Sequence, residues 1–591
     1  MEEIREQITK IILRVFDVSD FSAEVTPAPE NFKDLADFSS NVAMQLASRV
    51  KRSPREIAEG IISELPSDFP FLASVAGPGF LNFIASDEYF TTKLGDFRAN
   101  FEKNISQDEY SGKTVVCEFS DPNPFKVLHV GHLYTSIVGD SISRLVEFAG
   151  GKVVRANFGG DVGLHVAKTL YALQKQMNDS FSGRSGPLGQ VLGPSKEHSF
   201  AFDIEDIARA YVEGTRAYEE DESAKAEIVE LNKKIYQIAD AGVDANWEDE
   251  DARNLAELYW KGRELSYQYF SDFYERVGVK FDKYYPESTV AKRGLSEVSA
   301  HIGDVYEKSD GAVVFPGEKY DLHTRVFINA EGLPTYEAKD VGLLFTKWDD
   351  YKFDQSIVIT GNDIIDYMKV VLKSVSLYAP ELVERTKHIT HGNVRLPGNE
   401  KMSSRKGNFI RAVDVLDEVE GMVSEPKIAL AAIKYAFLKY KIGGNIEFDA
   451  KESVSTTGNS GVYLQYSAVR AKKILKKQND FSSGRSGPLG QVLGPSEKHF
   501  VPSVSLNKYE RGLLREIFRY KAVLKEEVEE LAPHKLANYL YELAQEFSRF
   551  YEHVKVAGSE EEANRLEIVS AYLGTMTHGL NLMGIEVPEE M

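Results

Sequence analysis

Residues 114–157 carry a strand–helix–strand pattern that commits the middle of the chain to a parallel sheet. Val115-Val116-Cys117-Glu118-Phe119 reads as a buried strand, and a loop bearing Pro, Asn and Gly follows. A helix is expected from about Leu133 to Ala149, stopped by Gly150-Gly151, with Lys152–Asn157 as the next strand. Strands joined by a crossover helix run parallel, and such sheets take ligands beyond the carboxyl ends of their strands. Ser356–Thr360 and the helix after it read as a later unit of the same sheet.

The chain has 591 residues, too many for one hydrophobic core, and length alone suggests about three or four domains. Residues 1–108 read as a small α+β unit. It has an opening amphipathic helix, a helix start at Ser53-Pro54-Arg55-Glu56, and a Gly77-Pro78-Gly79 turn before the strand Phe80–Ile84. Phe200–Glu275 is helical, acidic and rich in tyrosine, as an insertion between two halves of a nucleotide fold would be; from about Gly458 onward the pattern is helical throughout. An identical stretch of 14 residues occurs at Ser182–Ser195 and again at Ser483–Ser496, 301 residues apart in dissimilar surroundings. A fold-defining repeat would recur in register and diverge. Its Gly, Pro and Ser content predicts exposed loops, so both copies are read as late insertions without a catalytic role. A short recognition element is the rival reading.

A net charge of −21 (70 basic against 91 acidic residues) argues on its face against a polyanionic partner. Net charge governs solubility, however, and a local basic face can still hold phosphates. Arg49, Lys51, Arg52 and Arg55 form one such cluster; Arg470, Lys473 and Lys477, with Lys472 and Lys476 beside them, form a second if helical. Cys117 is the only cysteine, so neither an intramolecular disulfide nor a cysteine zinc site is possible. No apolar run approaches the ~20 residues of a membrane helix, and Met1–Phe16 lacks a signal-peptide core. A cytoplasmic protein is expected.

Chemistry enters at His129-Val130-Gly131-His132, between the first strand and its helix. A helix start offers free N–H groups and partial positive charge to phosphate; Gly131 would admit the nucleotide to the backbone, and the imidazoles would donate to phosphate oxygens. The second motif is Lys401-Met402-Ser403-Ser404-Arg405-Lys406-Gly407. Lys401 and Lys406 could neutralise charge developing as pyrophosphate departs. Each motif alone also suits a structural histidine pair or an exposed basic loop. Together, 269 residues apart on a strand–helix–strand core, they resemble the HIGH and KMSKS signatures of the class I aminoacyl-tRNA synthetases.

The surrounding residues resemble the arginyl members. They are Glu118–Asn123 with Lys126, Gly139-Asp140, Arg155–Asn157, Gly160–Gly163, Leu333–Asp340, and Gly461–Tyr466 with Ala468 and Arg470. The resemblance covers nearly the whole chain apart from the two repeats and much of 200–275. It implies a multidomain α/β protein with a Rossmann-type parallel-sheet catalytic core. Residues 1–108 would be an N-terminal domain touching the tRNA elbow. Residues 109–450 would be the catalytic domain, with a helical insertion around 196–280, and 451–591 an α-helical anticodon-binding bundle. It implies a monomer that uses ATP, with Mg²⁺ on the nucleotide and no zinc, to join L-arginine to tRNA(Arg).

By the same resemblance, His129, His132, Lys401 and Lys406 would be catalytic. Lys126, Gly131, Gly392, Val394, Met402, Ser403 and Ser404 would contact ATP. Asn123, with Glu118 and Ser120, would hold the α-amino and carboxylate end of arginine, and Glu287, Tyr336 and Asp340 its guanidinium. Tyr463, Gln465, Arg470 and Lys473 would touch tRNA. Carboxylates in pairs suit the planar five-donor fork of a guanidinium. Three positions depart from the family: Tyr134 replaces a usual arginine, Asp363 stands near a usual glutamine, and Glu590 replaces the arginine of the terminal P-E-R-M. A class I synthetase for another amino acid, an inactive tRNA-binding relative and a small nucleotidyltransferase remain the alternatives.

Overall fold

In a computed structural model, the structure describes residues 2–28, 36–181, 202–395, 397, 410–481 and 505–591. At its centre is a five-stranded, wholly parallel sheet: β1 Thr114–Glu118, β2 Lys152–Gly159, β3 Lys283–Pro286, β4 Gln355–Gly361 and β5 Thr386–His391, in the order β5-β4-β1-β2-β3. This is a Rossmann-type arrangement, and the order reverses between β1 and β4, which opens a crevice at their carboxyl ends.

Side chains of β1 and β4 alternate between the two faces of the sheet. Val115, Cys117, Ile357 and Ile359 pack on one side; Val116 and Val358 pack on the other. The expected helix after β1 spans Val130–Phe148 and starts earlier than expected, because the His129 side chain caps it. It lies so close to the sheet that a Cβ on Gly139 would sit 2.1 Å from the Phe119 ring.

The insertion is three helices, Ile204–Glu220, Glu222–Ala241 and Glu250–Val277, whose Ile207, Ile228, Leu255 and Tyr259 share a core with Leu170 of the preceding Leu164–Phe181 helix. The N-terminal unit folds as a four-stranded antiparallel sheet with flanking helices. Its Pro54–Ser63 helix has Ser53 and Glu56 as a reciprocal capping box. The C-terminal helices Gly461–Phe481, Lys508–Glu530, Pro533–His553 and Glu562–Leu582 pack as a bundle. The N-terminal unit rests on that bundle: Phe90 stacks on Phe518, and Asp37 receives both Arg511 and Arg515. Among the described residues no helix is long and apolar enough to cross a membrane. Both copies of the repeated stretch lie outside the described residues.

Candidate active site

At the mouth of the crevice, His129 and His132 stack with ring centroids 3.8 Å apart. His129 Nδ1 accepts from the Gly131 N–H, and His132 Nδ1 accepts from the His129 N–H, both at 3.1 Å. Burial pushes His129 down to about 4, with nearby Lys126 adding to the effect; His132 is held well below the usual histidine range by burial and by His129. Both rings are therefore neutral, and an Nδ1 that accepts leaves the ring hydrogen on Nε2. The pair is a set of pre-oriented neutral donors at a helix start. Glycine at 131 also makes room for the imidazole: a Cβ there would meet Cε1 of His129 at 2.8 Å.

The chain on either side of residues 396–409 returns to the helix that starts at this histidine pair. On its far side, His129 and Arg411 form an antiparallel bridge: the Val130 N–H donates to Ile410 O and the Ala412 N–H to Leu128 O, each at 2.9 Å. On its near side, His391 at the end of β5 lies 2.6 Å, Nε2 to Oγ1, from Thr135 of the capped helix. Tyr134, at one of the positions that depart from the family, is fully buried and packs its ring 4.4 Å from that of His391. Lys401, Met402, Ser403, Ser404 and Lys406 lie outside the described residues. Gly392 is pressed against the backbone of Gly444, and Val394 is buried where its strand pairs with Ile446. The Val394 side chain thus belongs to the core, and any contact with a nucleotide there falls to the main chain.

Behind the histidines the crevice is lined with acids. Asn123 Oδ1 accepts from the Gly160 N–H at 2.8 Å. A Cβ on Gly160 would meet Asn123 Oδ1 at 2.6 Å and Glu287 Oε1 at 3.0 Å, so these two side chains flank the same glycine. With its oxygen engaged, the Asn123 amide presents NH₂ donors suited to a carboxylate. Glu287 is buried and takes a short hydrogen bond from Lys339, whose ammonium lies 4.9 Å from the centroid of the half-exposed Tyr336 ring. Asp340 accepts a short hydrogen bond from the Tyr367 hydroxyl. Burial, with the negative charges of Glu118 and Glu287, raises Asp340 to about 8. Asp121 is also pushed well up by burial and by Glu118. Lys126 lies 4.8 Å from the Tyr211 ring of the insertion. The insertion thereby meets the loop that carries Asn123 and Lys126.

Two residues expected at the amino acid end have partners of their own. Glu118 is buried and paired with Lys347, which also donates to Ser356 Oγ at 3.1 Å. Ser120 is buried in a hydroxyl network, 2.8 Å from Tyr274 Oη and 2.9 Å from Ser136 Oγ. Both side chains support the crevice from beneath. Lys339, Lys347 and Tyr367 are additions that the sequence reading missed; each partner lies on a distant element, beyond the reach of local spacing.

In the C-terminal bundle, Tyr463 and Gln465 turn inward. Tyr463 bonds Ser548 at 3.0 Å; Gln465, fully buried, donates to Glu586 O at 2.6 Å. Lys473 Nζ is 3.4 Å from Met591 O, so it holds the terminal residue. Arg470 alone of the four projects between exposed aromatic rings, Tyr466 at 5.4 Å and Tyr551 at 4.0 Å.

Residues 99–425 match the family described as tRNA synthetases class I (R), catalytic domain. Residues 2–85 match the arginyl tRNA synthetase N terminal domain, and 464–591 the DALR anticodon binding domain. The chain is 27% identical to an arginine–tRNA ligase of Phocaeicola vulgatus, over 100% of both, and 28% identical to that of Treponema pallidum, over 92% of this chain and 91% of the other. The solved structure of the Thermus thermophilus arginyl-tRNA synthetase superposes with a TM-score of 0.71 at 21% identity, covering 100% of each chain. That of Plasmodium falciparum gives 0.73 at 20% identity, covering 100% of this chain and 99% of the other.

Proposed function

Since the chain belongs to the class I arginyl-tRNA synthetases, we propose that it joins L-arginine to tRNA(Arg) in the cytoplasm, with ATP as the energy source. The arginine carboxylate attacks the α-phosphorus of ATP, and the bond to the β-phosphate breaks. Arginyl-adenylate remains and pyrophosphate leaves, with Mg²⁺ carried on the triphosphate as part of that substrate. A terminal ribose hydroxyl of the tRNA then attacks the arginyl carbonyl, its proton is lost, and AMP departs.

The observation that carries this reading is the His129–Arg411 bridge. It supports an arrangement in which the lysine-bearing segment and the neutral imidazole pair face one triphosphate. His129 and His132 donate to phosphate oxygens, and Lys401 and Lys406 neutralise the departing pyrophosphate; charge stabilisation of this kind needs no covalent step. Glu287 and Asp340 accept the guanidinium beside Tyr336, while Asn123 holds the carboxylate end. Arg470, flanked by Tyr466 and Tyr551, supports an RNA contact through stacking. We assign residues 1–108 to the tRNA elbow, 109–450 to catalysis and 451–591 to the anticodon, in a monomer.

The experiment is acylation of tRNA(Arg) transcript with each of the twenty amino acids in turn. Charging with arginine alone supports the reading, and charging with another amino acid but not arginine overturns it.

A further inference from the structure

The crevice treats its carboxyl groups unequally. Glu118 and Glu287 each have a buried lysine of their own, Lys347 and Lys339. Asp340, half-buried on the same wall, has no cationic partner among the described residues and is held instead by the Tyr367 hydroxyl on Oδ2. A neutral donor fixes the orientation of a carboxyl group without cancelling the charge it can carry; an ammonium does both.

Tyr367 is itself clamped. It sits in the first turn of the Ile365–Ser376 helix that follows β4, and the Arg325 guanidinium lies 5.2 Å from its ring centroid. Arg325 also bonds the buried Glu337 at 3.2 Å, within the same helical turn as Asp340. Glu337, Arg325, Tyr367 and Asp340 thus close a circuit between two helices, with the hydroxyl as its last link.

We propose that Tyr367 is a specificity-determining positioning residue for arginine: its hydroxyl holds Asp340 through Oδ2 so that the other carboxyl oxygen is presented to the incoming guanidinium. The proposal rests on the assignment of this crevice to arginine. Asp121, another acid here without an ion pair among the described residues, is held by the Phe158 backbone N–H. Asp340 stands beside Tyr336 and Glu287; its countercharge arrives with the substrate, and Tyr367 keeps it aligned until then. Planar, paired hydrogen bonds lose most from a rotated acceptor, so a loosened Asp340 weakens recognition of the guanidinium while leaving the phosphate chemistry intact.

The test is steady-state acylation of tRNA(Arg) with Tyr367→Phe, Asp340→Asn and the double variant, beside the unmodified chain. In Tyr367→Phe the KM for arginine rises on the order of tenfold, as expected for one lost hydrogen bond to a charged group, with kcat and the KM for ATP within about twofold. If Tyr367 acts through Asp340, adding Tyr367→Phe to Asp340→Asn leaves the arginine KM within about twofold of Asp340→Asn alone. Should Tyr367→Phe fail to fold, Tyr367→Leu removes the same hydroxyl and is compared in the same two ways. An unchanged arginine KM in the single variant, or a further tenfold rise in the double, overturns the proposal. Failure of the unmodified chain to charge arginine would instead refute the functional assignment, before any variant is compared.

Discussion

His129 and Arg411 are bridge partners across 282 residues of chain (411 − 129), tied by hydrogen bonds on either side of the pair. The contact fixes where the lysine-bearing segment re-enters the fold, directly beside the imidazoles. Ala412 is the first residue of the Ala412–Glu420 helix, where proline suits the helix but removes the N–H that bonds Leu128 O. Ala412→Pro should lower kcat for charging by about tenfold, in line with one lost backbone hydrogen bond of about 1–1.5 kcal/mol. The KM for arginine should stay near its original value. A kcat unaffected by the substitution would detach the bridge from catalysis.

The histidines are neutral donors, so their catalytic contribution should be independent of pH across the physiological range. His132→Ala should reduce kcat by about 10²–10³, the usual effect of losing one preorganised donor. In the unmodified chain no histidine ionisation should appear in kcat/KM for ATP above about pH 5.5, because His129 titrates at about 4 and His132 well below the usual range. A rate that rises as a group near pH 6.5 gains its proton would contradict this assignment.

Glu287 and Lys339 neutralise each other in a buried pair. Removing one partner strands the other charge, at a typical cost of about 3–5 kcal/mol. Glu287→Gln should therefore lower both stability and arginine affinity. Glu287→Gln combined with Lys339→Met should recover most of the melting temperature but not the affinity. Recovery of both would mean that Glu287 serves the fold alone.

Glu527 offers a test away from the active site. It is fully buried in the Lys508–Glu530 helix with neither carboxyl oxygen hydrogen-bonded, and burial raises it well above 4.5. The folded state thus keeps a proton that the unfolded chain releases above pH 4.5. Its stabilising contribution is fully present below that pH and is lost as pH rises towards the folded value. Glu527→Gln, which mimics the protonated group, should raise the melting temperature by roughly 2 °C or more at pH 8 and leave it unchanged near pH 4. Equal melting curves at both pH values would show that the carboxyl group is not held neutral.

The strand–helix–strand core could be read from the sequence because local periodicity and glycine stops set it. The slot proposed for arginine could be read only through resemblance, since acids such as Glu287 and Asp340 look like surface charges until the fold collects them. What balances those acids was invisible: Lys347 pairs with Glu118 from 229 residues away, and Lys339 with Glu287 from 52. The hydrogen bonds of Tyr463 and Gln465 were hidden for the same reason. Nothing in their spacing tells which face of the helix meets the C-terminal tail, whose Glu586 carbonyl takes the Gln465 amide.

The most direct measurement of the account is competitive charging. Unmodified protein, ATP and tRNA(Arg) transcript are supplied with an equimolar mixture of all twenty amino acids, and the acylated product is identified by mass spectrometry. Arginyl-tRNA should be the sole product, and Asp340→Asn should suppress it. Acylation with another amino acid, or arginine charging indifferent to Asp340, would contradict a slot built around a planar cation.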